Sequence, residues 1–174
     1  MAHAQSSNTA VCRCGETRIE LAGEPIDSVI CFCQSCRKAA RQFEQSPGAP
    51  RVLNAHGGVD YCLYRKDRVD IVHGAHHLHE HRLRRESPTR RVVAQCCGAP
   101  MFVDFTPGHW LSIFRDRLSG PAPQPRMCAM TKDKPLGVEL PDGMPAYDTV
   151  PPGLMVRLLA AWVAMGFRRP RITW

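Results

Sequence analysis

Long apolar runs, a secretory leader and interleaved aromatic residues are all missing from this sequence. The longest apolar stretch, LMVRLLAAWVAMGF (154–167), is broken by Arg157 and is too short to span a bilayer. The opening MAHAQSSNTA has neither the basic start nor the apolar core of a secretory signal. It reads as a flexible tail over residues 1–9. With no sign of export or of a membrane, a reducing cytoplasm is the expected compartment. No internal repeat and no domain-scale linker interrupt the chain. Its 174 residues, 44% of them apolar, are therefore expected to close around a single core.

Acidic residues are also in deficit, and the formal net charge is +7. Arg82, Arg84, Arg85, Arg90 and Arg91 lie close together, and Arg168, Arg169 and Arg171 follow near the end. Such a face can be merely solvated, can steer an anionic thiol, or can touch phosphates. Single-strand nucleic-acid binding favours aromatics between the basic residues. Aromatics make up only 7% of the chain and do not lie there, which disfavours nucleic acid as a partner.

What the sequence has is cysteine, nine in all. A stable disulfide framework is disfavoured by the odd count and by the reducing compartment. Seven of the nine fall into three tight groups: Cys12 and Cys14; Cys31, Cys33 and Cys36; Cys96 and Cys97. Short knuckles of this kind turn several thiolates toward one point, which is what a metal needs. Soft thiolates select zinc or an iron–sulfur cluster, and the spacings do not follow the ferredoxin-type runs. Zinc is the expected ion. Cys62 and Cys128 stand alone and read as ordinary buried or loop thiols.

Alternation and turn signals place the groups on a mainly β framework. TRIEL (17–21), VDYCLY (59–64) and VDIV (69–72) read as strands, the last two parted by the charged turn RKDR. GEPIDS (23–28) reads as a turn leading into the knuckle CFCQSC. RKAARQF (37–43) suggests one or two helical turns before SPGAP stops it. MFVDF (101–105) and LSIF (111–114) read as a hairpin closed by TPGH. Residues 119–153, rich in Pro and Gly, are expected to be irregular loop. Residues 151–174 are expected to form a C-terminal helix with Leu154, Leu158, Trp162 and Met165 as its packing stripe.

VCRCG (11–15), CFCQSCRKA (31–39) and QCCGAPMF (95–102) together resemble the glutathione-dependent formaldehyde-activating enzyme family, also called the centromere protein V-like domain. LPDGMPAYD (140–148) is similar to a segment near the end of such domains, so the resemblance spans roughly residues 10 to 150. It implies Mss4-like stacked antiparallel sheets with two zinc sites. One is structural, closed by Cys12, Cys14, residue 94 and Cys97. The other is an open site of three ligands, Cys31, Cys33 and Cys36. The sequence departs from this pattern at Ala94, where the family has a cysteine, and carries Cys96 beside Cys97 instead. Neighbours in a strand point to opposite faces, so Cys96 needs a bulge or turn to reach the metal. Three arrangements stay open: Cys96 closes the site, the site runs on three thiolates plus water or a histidine, or it is empty. Zinc held by Cys12, Cys14 and Cys97 with Cys96 nearby is the favoured expectation.

An open zinc position admits water or a thiol, and zinc favours the thiolate. The resemblance implies a carbon–sulfur lyase-like activity on an adduct of glutathione with an aldehyde, like the synthesis of S-hydroxymethylglutathione. No general base is evident beside Cys31. Two other functions remain: a glutathione or zinc carrier without chemistry, and a zinc-stabilised interaction module using the basic face. HGAHHLHEHRLRR (73–85) adds five histidines. His73, His77 and His81 would share a helical face, and His77, His79 and His81 a strand face. Either set could supply a ligand or an acid near neutral pH, though an exposed polar strand with Leu78 packed beneath is the plainer expectation.

Overall fold

Strand β4 (Val59–Arg65) separates two cores by alternation alone. Tyr61 and Leu63 point into one and Cys62 and Tyr64 into the other, as a strand buried on both faces requires. A computed structural model describes residues 7–46 and 48–174 of the chain. The remaining strands are β1 (Ser7–Val11), β2 (Arg18–Ala22), β3 (Asp27–Cys31), β5 (Val69–His73), β6 (Leu78–His81), β7 (Thr89–Ala94), β8 (Ala99–Phe105), β9 (Trp110–Phe114), β10 (Cys128–Ala129) and β11 (Ala146–Tyr147). Two α-helices join them, α1 (Gln34–Glu44) and α2 (Pro152–Ala164). The protein is mainly β.

The strands form two sheets. The smaller runs β1-β2-β5, and the larger β11-β10-β3-β4-β9-β8-β7-β6. Ala10, Ile19 and Leu21 of the small sheet pack on Tyr64, Val92, Met101, Phe102, Leu111 and Ile113 of the large one. The far face of the large sheet is covered by Ala39, Ala40 and Phe43 of α1 and by Leu154 and Leu158 of α2. Between Val92 and Val93 the register with β8 shifts, so Met101 has no partner on β7. Both Met101 and Phe102 then turn toward the inter-sheet core, as a bulge allows.

The stacked-sheet expectation is met with one difference. The two-residue strands β10 and β11 add to β3 in parallel, so the large sheet is mixed at that edge. They lie inside 119–153, which was expected to be irregular throughout. Pro and Gly forbid long strands there but leave isolated N–H groups free to pair. The expected tail also needs correction, since Ser7–Val11 pairs antiparallel with β2 and buries Ala10. The alternation of a five-residue strand is weak in sequence and is fixed by its partner. Residues 1–6 lie outside the described residues. RKDR does join β4 to β5, through a short 3₁₀ turn at Lys66–Arg68, but delivers them to different sheets. Helix α1 runs for eleven residues, longer than expected. It continues because Glu44 closes the following loop, its Oε1 accepting the Val52 and Leu53 N–H groups at 2.7 and 2.8 Å.

Met165 ends the stripe of α2 fully buried, while Trp162 is only part-buried and stacks on His109 at 5.6 Å. Between the sheets and the C-terminal residues sits a buried ionic group. Lys66 Nζ lies 2.8 Å from Asp104 Oδ1, and Arg90 reaches Asp104 Oδ2 at 2.6 Å. The Lys66 and Asp104 side chains are 2% and 1% exposed, so removing one partner strands a charge in the interior. Asp104→Ala is expected to lower stability by about 3–5 kcal/mol in chemical denaturation. Pairing Asp104→Leu with Lys66→Met is expected to restore most of that loss; a double variant as weak as the single one would contradict this account.

Candidate metal centres

The first cysteine group forms where two turns meet. Cys12 and Cys14 occupy the turn from β1 to β2, in which the Cys12 N–H bonds to Thr17 O and the Gly15 N–H to Cys12 O. Cys96 and Cys97 occupy the turn from β7 to β8, closed by Cys97 N–H to Ala94 O and by Gly98 at φ +69°. Cys96 therefore does not lie in a strand, and the alternation that would have turned it away does not apply. All four sulfurs lie within 4.8 Å of one another. Cys12 Sγ stands 3.6 Å from Cys14 Sγ and 3.7 Å from Cys96 Sγ. Tetrahedral zinc with Zn–S bonds of about 2.3 Å spaces its sulfurs by about 3.8 Å, so this donor set fits zinc. The structure thus brings Cys96 together with Cys12, Cys14 and Cys97, while Ala94 is buried in the core.

The approach of the two turns depends on a third. Gly74, at φ +69°, lies against Glu16 and Thr17 so closely that a Cβ there would sit 1.9 Å from Glu16 O. Thr17 is fully buried, and its N–H donates to Cys12 Sγ at 3.2 Å. Burial pushes the Cys12 thiol up, but the Thr17 N–H and the neighbouring thiols outweigh it and bring it down to about 7. Cys96 is pushed up, first by desolvation and then by Cys14 and Cys12.

The second group is built on the start of α1. Cys31 ends β3, Cys33 is the N-cap of α1, and Cys36 lies in its first turn. A cap normally offers oxygen to a free N–H. Here Cys33 Sγ accepts from the Cys36 N–H at 3.4 Å. Cys31 Sγ donates to Cys36 Sγ at 3.8 Å, and the three sulfurs lie within 4.8 Å of one another. No fourth histidine, cysteine or carboxylate joins them among the described residues. The Cys31 and Cys36 thiols, joined by the Ser35 hydroxyl and the Cys36 N–H, hold Cys33 far below the ordinary thiol range against desolvation. Cys36 is drawn down by Cys31, but Cys33 and burial prevail and leave it at about 11. Negative charge shared by the group is therefore favoured on Cys33 over Cys31 and Cys36.

Tyr61 is the residue that spacing alone did not reveal. It is buried under the second group, and its hydroxyl hydrogen-bonds Cys36. Its place in VDYCLY marks it as a core aromatic and nothing more. Arg37 is likewise buried, and it ties α1 to Gly57 O at 3.1 Å and to the Asp133 carbonyl. Asp133 Oδ2 in turn accepts the Gln34 N–H at 3.1 Å.

The histidines do not gather with the cysteines. His79 and His81 lie on strand β6, with Leu78 buried beneath, and no histidine joins a metal-binding group among the described residues. The basic run is partly neutralised where it stands, because Arg82 pairs with Glu80 and Arg90 with Asp104. Cys62 and Cys128 are buried. No helix is long and apolar enough to cross a membrane among the described residues.

In chelator-treated protein, the rate of Cys33 alkylation by iodoacetamide is expected to stay flat between about pH 5 and 8, because the thiolate already persists below that range. An ordinary cysteine gains about tenfold per pH unit there. Peptide mass spectrometry reads both, and a Cys33 rate that climbs with pH would refute the shared-charge description.

No curated protein matches the chain. Among solved structures, a crystal structure of a Rhodobacter sphaeroides protein from a structural-genomics programme is similar, at 18% identity and a TM-score of 0.48, covering 66% of this chain and 91% of that one. The family described as glutathione-dependent formaldehyde-activating enzyme matches residues 7–115, from β1 through β9, and so takes in all seven clustered cysteines. The chain belongs to the glutathione-dependent formaldehyde-activating enzyme family.

Proposed function

We propose that this protein is a zinc-dependent, carbon–sulfur lyase-like enzyme acting on an adduct of glutathione and a small aldehyde at Cys31, Cys33 and Cys36. The observation that carries the reading is a group of three converging sulfurs with no fourth protein ligand among the described residues, beside a second group of four. Four thiolates satisfy a structural zinc, whereas catalytic zinc keeps a place for an exchangeable ligand. Cys12, Cys14, Cys96 and Cys97 would hold the structural ion, and Cys31, Cys33 and Cys36 the reactive one. When bound at the second group, zinc supplies a Lewis acid that favours a thiolate over a thiol.

The chain's own groups suit that task. The Cys36 N–H and the open end of α1 favour negative charge on sulfur. Tyr61 and the surrounding apolar side chains keep water from the inner side of the group. In the reaction, the sulfur of glutathione forms a bond to the carbonyl carbon of the aldehyde, the C=O π pair moves to oxygen, and that oxygen gains the proton lost by the thiol. The reverse reaction breaks the same C–S bond. Partial neutralisation of the arginine run by Glu80 and Asp104 favours this reading over a nucleic-acid module.

Native mass spectrometry of the full chain is expected to show two zinc ions, and NMR with carbon-13 formaldehyde and glutathione is expected to show faster adduct formation and exchange than in buffer. Cys33→Ser should keep one zinc and lose the acceleration. Two zinc ions with no acceleration would leave the carrier reading in its place, and one zinc in the wild-type protein would refute the two-site assignment.

A further inference from the structure

Arg91 is the anomaly of this molecule. It is 2% exposed, among the largest fully buried side chains, yet its Nε has no hydrogen-bond partner. Among the described residues no carboxylate pairs with it, whereas its neighbour Arg90 is bound to Asp104 and to Ile172 O. Strand alternation explains the contrast. Arg90 faces the inter-sheet side with Val92, and Arg91 faces the side covered by α1 with Val93. A guanidinium cannot escape burial by losing its proton, and an unpaired buried charge costs several kcal/mol. A buried cation with nothing opposite it is poised for an anion from outside.

The surroundings supply a place for one. Arg91 lines an open cleft of about 390 Å³ shared with Ser35 and Lys38 of α1, Arg84 and Ser87 of the loop from β6 to β7, and Thr89 of β7. Three cations and three hydroxyls line it, and no acidic residue does. Ser35 lies in the first turn of α1, two residues beyond Cys33, and its hydroxyl is 3.3 Å from Cys33 Sγ. The cleft therefore opens directly beside the three-sulfur group. Arg91 also acts on the group's inner wall, since its charge is felt by Tyr61, which bonds Cys36. Burial and then Arg91 push His81 below its ordinary range, as expected near a positive charge that nothing cancels.

We infer that this cleft is a carboxylate-binding subsite, in which Arg91, helped by Lys38 and Arg84, holds an acid group of the thiol whose sulfur lies at Cys31, Cys33 and Cys36. The sulfur half of that statement rests on the function proposed above, and the carboxylate half rests on the cleft alone. A guanidinium and a carboxylate match in plane and spacing, which a lone ammonium does not offer. The substrate class is accordingly an acidic thiol, and a neutral thiol of the same reactivity is a poor ligand.

Calorimetry on the full-length, zinc-loaded protein tests this with three probes. Reduced glutathione keeps sulfur and carboxylates, its diethyl ester keeps only the sulfur, and S-methylglutathione keeps only the carboxylates. Wild type is expected to bind glutathione about ten- to a hundredfold more tightly than the ester, the range for a charge-assisted hydrogen-bonded pair. In Arg91→Met that ratio should fall to about one, with ester binding unchanged and thermal stability equal or higher, because a buried unpaired charge has been removed. A merely structural Arg91 would lose stability and keep the ratio, which overturns the inference, as would a wild-type ratio near one. The exposed pair Lys38→Ala and Arg84→Ala, outside the core, should reduce the ratio in the same direction even if Arg91→Met does not fold. S-methylglutathione separates the two halves. Arg91-dependent binding of it upholds the cleft, and if that binding is as tight as that of glutathione itself the proposed sulfur site is refuted while the cleft stands.

Discussion

Cys12 and Cys96 are 84 residues apart in the chain, yet their sulfurs stand 3.7 Å apart, and everything between must fold so as to permit that. Two turns have to meet, which fixes the small sheet over the large one, because β1 and β2 leave the first turn and β7 and β8 leave the second. Gly74 must let the chain pass within touching distance of Glu16, and Thr17 must surrender its N–H to sulfur. Thiols crowded at this distance are poor core packing, since they fill little space and repel once ionised. A tetrahedral cation held there would turn the same crowding into free energy of folding, on the order of 10–16 kcal/mol for comparable zinc sites.

The second group follows a different logic. It hangs from the end of β3, a strand of the large sheet, and the start of α1, which covers that sheet's far face, and needs no distant partner from the chain. Local geometry alone brings its three sulfurs together. No fourth histidine, cysteine or carboxylate joins it among the described residues, and the cleft that opens beside Ser35 is lined by Lys38, Arg84 and Arg91. One group knits the fold, and the other faces outward.

Much of this was legible in the amino-acid order. The cysteine groups announced two convergences, and alternation in VDYCLY and MFVDF announced strands that the structure contains. Other features were hidden for physical reasons. Sequence alone said that Cys96 needs a bulge or turn to reach the other thiols but not whether one forms; the turn is set by Gly98 and by a hydrogen bond from the Cys97 N–H to Ala94 O. Ser7–Val11 has too few residues to show its period and becomes a strand only through β2. Arg90 and Arg91 look like twins in sequence, and only tertiary structure shows that one is paired with Asp104 and the other with no carboxylate among the described residues. Tyr61 was visible as apolar bulk, while its hydroxyl mattered only once Cys36 lay within hydrogen-bond reach of it.

Cys33 serves as both a member of the sulfur group and the cap of α1. A helix end is the least stable part of a helix, and its first turn frays when its cap is lost. Ser35 and Lys38 sit on that first turn and the next, so the order of the cleft depends on the same sulfur that would meet a metal. Thermodynamic linkage then runs in both directions: whatever holds Cys33 in place preorganises the cleft, and an anion that steadies the cleft strengthens the hold on Cys33 by the same free energy. Two small sites joined by one turn of helix would then behave as a single cooperative device.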